Sequence, residues 1–397
     1  MSDYVDSHQI KMSDLGAVQW VATLAALQTA HATLTAAPQV AVDTESDSLY
    51  SYFEKVCLLQ FSTPATDLVV DPLAFADTQA IATLAPLFAA PHIEKVFHAA
   101  EYDILCLKRD YQFEFVAIFD TMIAARILGW KNVGLGAILQ EHFGVTLNKK
   151  MQRADWGHRP LTAEHIAYAR EDTHYLLRLR DLQLAELERT QRLAEAREEF
   201  ERLTRVTPTP RRFDPDAYWN LNGARDLDAA QLGALRELFR WRDAQARKQD
   251  RPPFKILSDA VLVHLADAKP ATLRALAQVH GVSEFILQRY GRALVENVAR
   301  GLSAPQTETP RPHMRGEPLL DNVARNRLAT LKAWRKQRAE LRGVEPDVIV
   351  SNDVLFAIAR KNPRTLDALR EAANLGAWKT REYSEELFDA LHGKPRG

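Results

Sequence analysis

Residues 39–62 read QVAVDTESDSLYSYFEKVCLLQFS, and residues 66–72 continue with TDLVVDP. Three runs, QVAVDTE, KVCLLQFST and TDLVVDP, are rich in β-branched and aliphatic residues, the composition of strands in a buried sheet. Their short connections favour an antiparallel meander, since parallel neighbours need a longer crossover. Asp43 and Glu45 close the first run two residues apart, and in a strand residues i and i+2 face the same way. Two carboxylates therefore converge at one strand end.

Downstream, a helical stretch near 78–88 precedes a strand at KVFHA (95–99), a helix through Asp103 to Arg109, a strand at VAIFDT (116–121) and a helix near 122–128. This β-α-β-α alternation makes the later strands parallel, so the class is α/β with a mixed sheet flanked by helices. From Leu135 the pattern is helical, and one long helix holding Tyr168 and Asp172 is expected to run to about Arg205. Tyr168 and Asp172 are four residues apart, which puts a phenol and a carboxylate on one helix face. Upstream, residues 15–42 lack charge, but Gln19, Gln28, His31, Pro38 and Gln39 interrupt the stretch. An Ala-rich amphipathic helix explains it better than a membrane span.

Asp43, Glu45, Asp103 and Asp172 would repel one another if brought together, and protons or cations must offset that repulsion. No His or Cys completes the set, so hard divalent cations with oxygen ligands, Mg²⁺ or Mn²⁺, suit it. Two such ions about 3.5–4 Å apart can generate the attacking hydroxide and stabilise the leaving oxygen of an in-line phosphoryl displacement. A phenol titrating near pH ~10 is a poor base, so Tyr168 is expected to orient the attacking water. Taken singly, DxE on a strand and YxxxD on a helix also fit solvated or helix-capping carboxylates. Their order and their placement at strand ends, where sites gather in α/β sheets, favour the metal reading.

The chain has 397 residues, 46% of them hydrophobic, enough for two or three domains with real cores. A net charge of −1 hides an asymmetry: residues 1–210 carry 19 Lys/Arg against 28 Asp/Glu, whereas 211–397 carry 32 against 24. An acidic half suits cations and a basic half suits a polyanion. The two cysteines, Cys57 and Cys106, lie in apolar runs and make neither a disulfide framework nor a zinc spacing, as expected in a reducing cytoplasm. The first residues, MSDYVDSHQIKMSD, are acidic and lack the apolar stretch of a signal peptide.

Prolines at 208, 210 and 215 mark a linker at 208–230, and four more between 305 and 318 mark a second at 303–322. They bound a first region at 1–207, with its motifs in 39–175, and two helical regions at 231–302 and 323–393. The helical regions are copies of one another. At an offset of 93, residues 235–294 align with 328–387 without a gap at 18 identities in 60 positions, including Trp241/Trp334, Pro253/Pro346 and Tyr290/Tyr383. A fixed register of this kind argues for one small helical domain used twice.

The motifs VAVDTES (40–46), KVFHAAEYDIL (95–105), IFDTMIAARILG (118–129) and DWGHRPLTAEHIAYAREDTHYLL (155–177) resemble those of the DEDD-superfamily 3′-to-5′ exonucleases. The likeness is to the subgroup with tyrosine in its third motif, and within it to the ribonuclease D family, over residues of about 20–205. The helical repeats resemble the HRDC domain found in helicases and ribonuclease D. The resemblance implies a ribonuclease-H-like fold, with Asp43, Glu45, Asp103 and Asp172 as metal ligands and Tyr168 positioning the water. It also implies a two-metal exoribonuclease that releases nucleoside 5′-monophosphates from single-stranded RNA 3′ ends, with transfer RNA precursors as substrates. Ser46 departs from the pattern, standing where many relatives carry an aromatic residue. Competing functions are a 3′-to-5′ DNA exonuclease and a non-catalytic nucleic-acid-binding protein.

Substrate contacts are expected from Thr44, His98, Lys149, Trp156 and Arg159. His98 can reach a phosphate or ribose, or serve as a strand-end histidine. The loop LNKKMQRADWGHRPL (147–161) combines cations with an aromatic, which suits phosphate contact and base stacking, although Trp156 can equally anchor the loop. Asp120 is better explained as a helix N-cap than as a fifth ligand. Trp241 and Trp334 recur at helical spacing and read as core. Arg247, Lys248, Arg251, Lys336, Arg338 and Arg342 are the candidate phosphate contacts of the repeats.

Overall fold

A computed structural model of the chain describes residues 17–148, 150–209, 212–304 and 320–393. Its sheet is built from β1 (Gln19–Val21), β2 (Gln39–Ser46), β3 (Val56–Ser62), β4 (Asp67–Val70), β5 (Glu94–Phe97) and β6 (Ile118–Asp120), in the order β1-β4-β3-β2-β5-β6. The β2–β3 and β3–β4 pairs are antiparallel, whereas β1–β4, β2–β5 and β5–β6 are parallel. The meander and the mixed sheet thus form as the sequence pattern requires. Every residue of β3 and β4 is buried, as expected for strands covered on both faces.

Helices α1 (Leu24–Ala36), α2 (Gln79–Ala82), α3 (Ala85–Ala89), α4 (Glu101–Tyr111), α5 (Thr121–Leu128), α6 (Leu135–Phe143), α7 (Ala163–His174), α8 (Leu176–Arg189) and α9 (Leu193–Thr204) accompany the sheet. Three expectations need correction. The charge-free stretch is not all helix, because QWV pairs with β4 as β1 before Thr23 caps α1. The stretch 78–88 is two short helices rather than one. The long helix to Arg205 is three: the chain turns at Tyr175, and again at Thr190 to Arg192, where Gln191 adopts φ +57°. No glycine or proline announces either break.

The chain forms two compact units. One comprises residues 1–46, 56–208 and 319–397, joining the sheet domain to the second helical copy, which contains α15 (Asn322–Arg342), α16 (Pro346–Ile349), α17 (Asn352–Lys361), α18 (Leu366–Ala373) and α19 (Ala377–His392). Helix α9 and this copy are fastened by charge. Glu195, fully buried, takes both arms of Arg342 at 2.5 and 2.9 Å, and Lys379 Nζ reaches Glu199 at 2.6 Å. The Glu198 carboxylate accepts from Trp378 N and Lys379 N at the start of α19, satisfying two of its first N–H groups.

The other unit comprises residues 47–55 and 209–318. Its helices are α10 (Ala229–Gln249), α11 (Pro253–Ile256), α12 (Asp259–Ala268), α13 (Leu273–Leu276) and α14 (Glu284–Ser303). Gly233 and Gly301 let α10 and α14 touch backbone to backbone, since a Cβ on either would lie 2.3 Å from the other's carbonyl oxygen. Residues 217–226, expected within a linker, instead form two 3-10 turns that bury Tyr218 and Ala224 in this helical core. Trp241 and Trp334 are partly buried against the cores of their own copies, as core residues.

Candidate active site

Strand β2 brings Asp43 and Glu45 to one face because they stand two apart, and α7 packs against β2, β3 and β4. A buried network seats α7. Asp67 at the start of β4 accepts from Arg170 Nε at 2.6 Å, from His174 Nδ1 at 2.8 Å and from Ser62 Oγ at 2.6 Å, while Ser62 also meets Thr173 at 2.8 Å. Burial opposes the Asp67 charge, but His174, Ser62 and Arg170 outweigh it and hold the carboxyl below its usual range. None of these four partners of Asp67 and Ser62 was singled out from the sequence, because polar residues within strands and helices carry no spacing signal of their own.

Seated in this way, α7 places Asp172 beside the strand acids. Oxygens of Asp43, Glu45 and Asp172 all lie within 4.8 Å of one another. Asp103, in the first turn of α4, is held by Thr44: its Oδ1 accepts from the Thr44 hydroxyl at 2.5 Å and from Thr44 N at 3.1 Å. The turn that begins α4 is held by Asp120, whose carboxylate caps α5 through Met122 N and Ile123 N. The same carboxylate accepts from Ala99 N and Ala100 N, across a backbone where Ala99 takes φ +63°. Asp120 is therefore an N-cap, as expected, and also a brace for the turn that presents Asp103.

The electrostatics follow from this crowding. Burial, then the charges of Asp103, Asp172 and Glu45, push Asp43 well above the usual carboxylate range. Burial, then Asp172 and Asp103, push Glu45 to about 9. Asp103 is raised to about 7 by burial against the Thr44 hydrogen bonds, and Asp172 to about 7 by burial and then Glu171. Glu171, buried beside Asp172, was missed from the sequence, where it reads as an ordinary helix-surface acid. Burial and the neighbouring acids also raise the Tyr168 phenol, so it stays protonated at any neutral pH.

Other expected contacts fall elsewhere. Arg159 uses all five N–H groups within the protein: on Asp71 Oδ1 and Oδ2 at 2.7 and 2.8 Å, and on the carbonyls of Cys57, Trp156 and His158 at 2.7–2.9 Å. It fastens its loop rather than offering donors to a phosphate. Trp156 is 2% exposed, packed among Cys57, Leu58, Val69 and Ala169, with its ring 5.9 Å from that of Tyr168. A buried indole supports Tyr168 and presents no face for a base. His98 lies just beyond β5, donating from Nδ1 to Thr121 Oγ1 at 2.9 Å while that hydroxyl bonds Phe97 O. Burial lowers it to about 4, leaving a neutral ring at pH 7. Arg342 is consumed by Glu195, and Arg338 pairs with Glu382 and Glu386. Lys149 lies outside the described residues.

Both free cysteines are buried, and among the described residues no helix is long and apolar enough to cross a membrane. A family model described as 3′-5′ exonuclease matches residues 18–188, and the HRDC domain matches twice, at 231–298 and 324–391. Ribonuclease D of Acidiphilium cryptum is 30% identical over 342 residues, covering 85% of each chain. The exosome complex component 10 homolog of Caenorhabditis elegans is 35% identical over 266 residues, 66% of this chain. This chain spans only 30% of the length of that relative. Among solved structures, the catalytic core of RRP6 from Trypanosoma brucei superposes with a TM-score of 0.67 at 30% identity, covering 76% of this chain and 83% of that one.

Proposed function

Because this chain belongs to the ribonuclease D family, we propose that it is a 3′-5′ exoribonuclease that hydrolyses RNA ends to nucleoside 5′-monophosphates, with two Mg²⁺ or Mn²⁺ ions as cofactors. The observation that carries this reading is the convergence of Asp43, Glu45 and Asp172 within 4.8 Å, beside an Asp103 fixed by Thr44. Carboxylates raised by one another's charge, with oxygen as their only donor atom, fit hard divalent cations. When bound, such cations lower the pKa of an attacking water and stabilise the charge that builds on the phosphate.

The chain's own groups do the rest. Asp43, Glu45, Asp103 and Asp172 hold the ions, and Thr44 keeps Asp103 from rotating away. Tyr168, protonated and backed by Trp156, orients the attacking water by hydrogen bonding and does not remove its proton. The substrate is RNA with a single-stranded 3′ end, of the class of transfer RNA precursors, met in the cytoplasm. Residues 1–207 form the nuclease, and 231–302 and 323–393 its two HRDC-like domains.

Replacing Asp43 or Asp172 by Asn tests the site: RNA binding should persist while cleavage falls by orders of magnitude. Unchanged cleavage would place the chemistry elsewhere. Matched RNA and DNA oligonucleotides test the substrate, and a clear preference for DNA would overturn the ribonuclease reading.

A further inference from the structure

The β2–β3 connection, residues 47–55, is longer than a hairpin needs and belongs with the first helical copy. Asp250 Oδ1 accepts from Tyr52 N and Phe53 N, both at 2.9 Å, and Asp243 accepts from the Tyr52 hydroxyl at 2.9 Å. Within the loop, Asp47 accepts from Ser51 Oγ and Lys55 N, each at 2.8 Å, and pairs with Lys55 Nζ. The loop is thus held in one conformation by Asp47, Asp243 and Asp250. Its exposed residues are Leu49, Phe53 and Lys55. Phe53 is 55% exposed and Leu49 43%, and Phe254, on α11, is 53% exposed.

Cations are interleaved with these rings. Arg247 lies 6.0 Å from the centroid of Phe53, and Lys255 Nζ lies 3.4 Å from that of Tyr50. Lys248 and Arg251, exposed near the end of α10 and just after it, add two more. None of this is required by the helical module. At the aligned positions the second copy carries Glu340, Leu341, Val344, Asp347 and Val348 in place of Arg247, Lys248, Arg251, Phe254 and Lys255, and it folds without them. Exposed aromatic planes among cations on a prearranged loop are what single-stranded nucleic acid binds: bases stack while phosphates meet the charges.

We propose that Phe53 and Phe254, with Tyr50, Arg247, Arg251 and Lys255, form a stacking platform for single-stranded RNA. This rests on the exoribonuclease reading.

The test uses the full chain carrying Asp43→Asn, so that RNA stays intact, and a 5′-fluorescein dodecamer of RNA followed by anisotropy. Phe53→Ala with Phe254→Ala should weaken binding roughly 5- to 100-fold, the span expected for losing one base stack or more. Phe53→Tyr, which keeps a ring, should restore most of the loss attributable to that position. Arg247→Gln with Arg251→Gln should make binding less sensitive to salt. Affinity within twofold of the parent for the double alanine variant would overturn the platform, and the face would then be one for a protein partner. In the active enzyme, the alanine pair should raise KM for the dodecamer relative to KM for a dinucleotide. Equal effects on both lengths would overturn it too. If the parent trims no RNA at all, the exoribonuclease reading fails, while the anisotropy still reports on the platform.

Discussion

Replacing Glu45 by Gln should flatten the dependence of stability on pH in the metal-free protein. Glu45 has a folded-state pKa of about 9 against an ordinary 4.5, mainly through burial and then through Asp172 and Asp103. Between those values the folded state holds a proton that the unfolded state releases. Stability therefore falls as pH rises from about 4.5 to 9, by at most ~1.4 kcal/mol per unit. From pH 5.5 to 8.5 the full shift corresponds to about 4 kcal/mol, and partial access to water at the cleft reduces the expected figure to about 2 kcal/mol. Urea unfolding followed by circular dichroism, in EDTA at the two pH values, gives the slope for parent and Glu45→Gln. The difference between them isolates this carboxylate from the groups common to both proteins. Adding millimolar MgCl₂ should remove most of the parent's loss at pH 8.5, because bound cations offset the same repulsion. If Glu45→Gln loses as much stability across this range as the parent in EDTA, the acids are not crowded in the way described.

Tyr168→Phe should lower kcat by about 10²–10³ while leaving Mg²⁺ binding by calorimetry intact, since only the water-orienting hydroxyl is lost. A loss confined to metal affinity would instead make Tyr168 part of the ion site. Thr44→Val removes the hydroxyl bonded to Asp103 Oδ1 at 2.5 Å and should lower kcat/KM about tenfold, equivalent to ~1.4 kcal/mol, with little change in thermal stability. Wild-type kinetics would show that Asp103 is oriented without it. Glu195→Ala leaves Arg342 in a largely buried site with only the Tyr383 hydroxyl and no carboxylate, and should destabilise the chain by about 3 kcal/mol in thermal or urea unfolding. A change below ~1 kcal/mol would mean that the pair adds nothing to the attachment of the second copy.

The elements legible in the sequence were those with a period or a local partner. The meander follows from three apolar runs with short links, and Asp43, Glu45, Tyr168 and Asp172 follow from spacings of two and four that strand and helix convert into shared faces. Asp120 is readable as a cap because the donors to its carboxylate are the backbone N–H groups two and three residues further on. Features that depend on distant partners were not readable. Arg159 stands in a basic loop and suggests a phosphate contact, but its donors are used by Asp71 and by three carbonyls, which no composition rule announces. Trp156 suggests a stacking surface until the residues that cover it, from β3, β4 and α7, are in place. Strand β1 is too short to show a period within a charge-free stretch. The bends that divide α7, α8 and α9 carry no glycine or proline, and one of them falls on the buried Tyr175, so periodicity alone runs through them.

The fastening of α9 to the second helical copy shows how a duplicated module divides its labour. Tyr290 and Tyr383 are aligned, but Tyr290 meets Gln249 at 3.2 Å whereas Tyr383 meets Arg342, the residue aligned with Gln249. Lys379 and Gly376, which meet Glu199 and Glu198, stand where the first copy has Ile286 and Ser283. The two copies share a core and differ in the few side chains that set what each one holds. At these three aligned positions the first copy has Gln249, Ile286 and Ser283, so the grip on α9 belongs to the second copy through Arg342, Lys379 and Gly376, and a first copy set in its place would lack it.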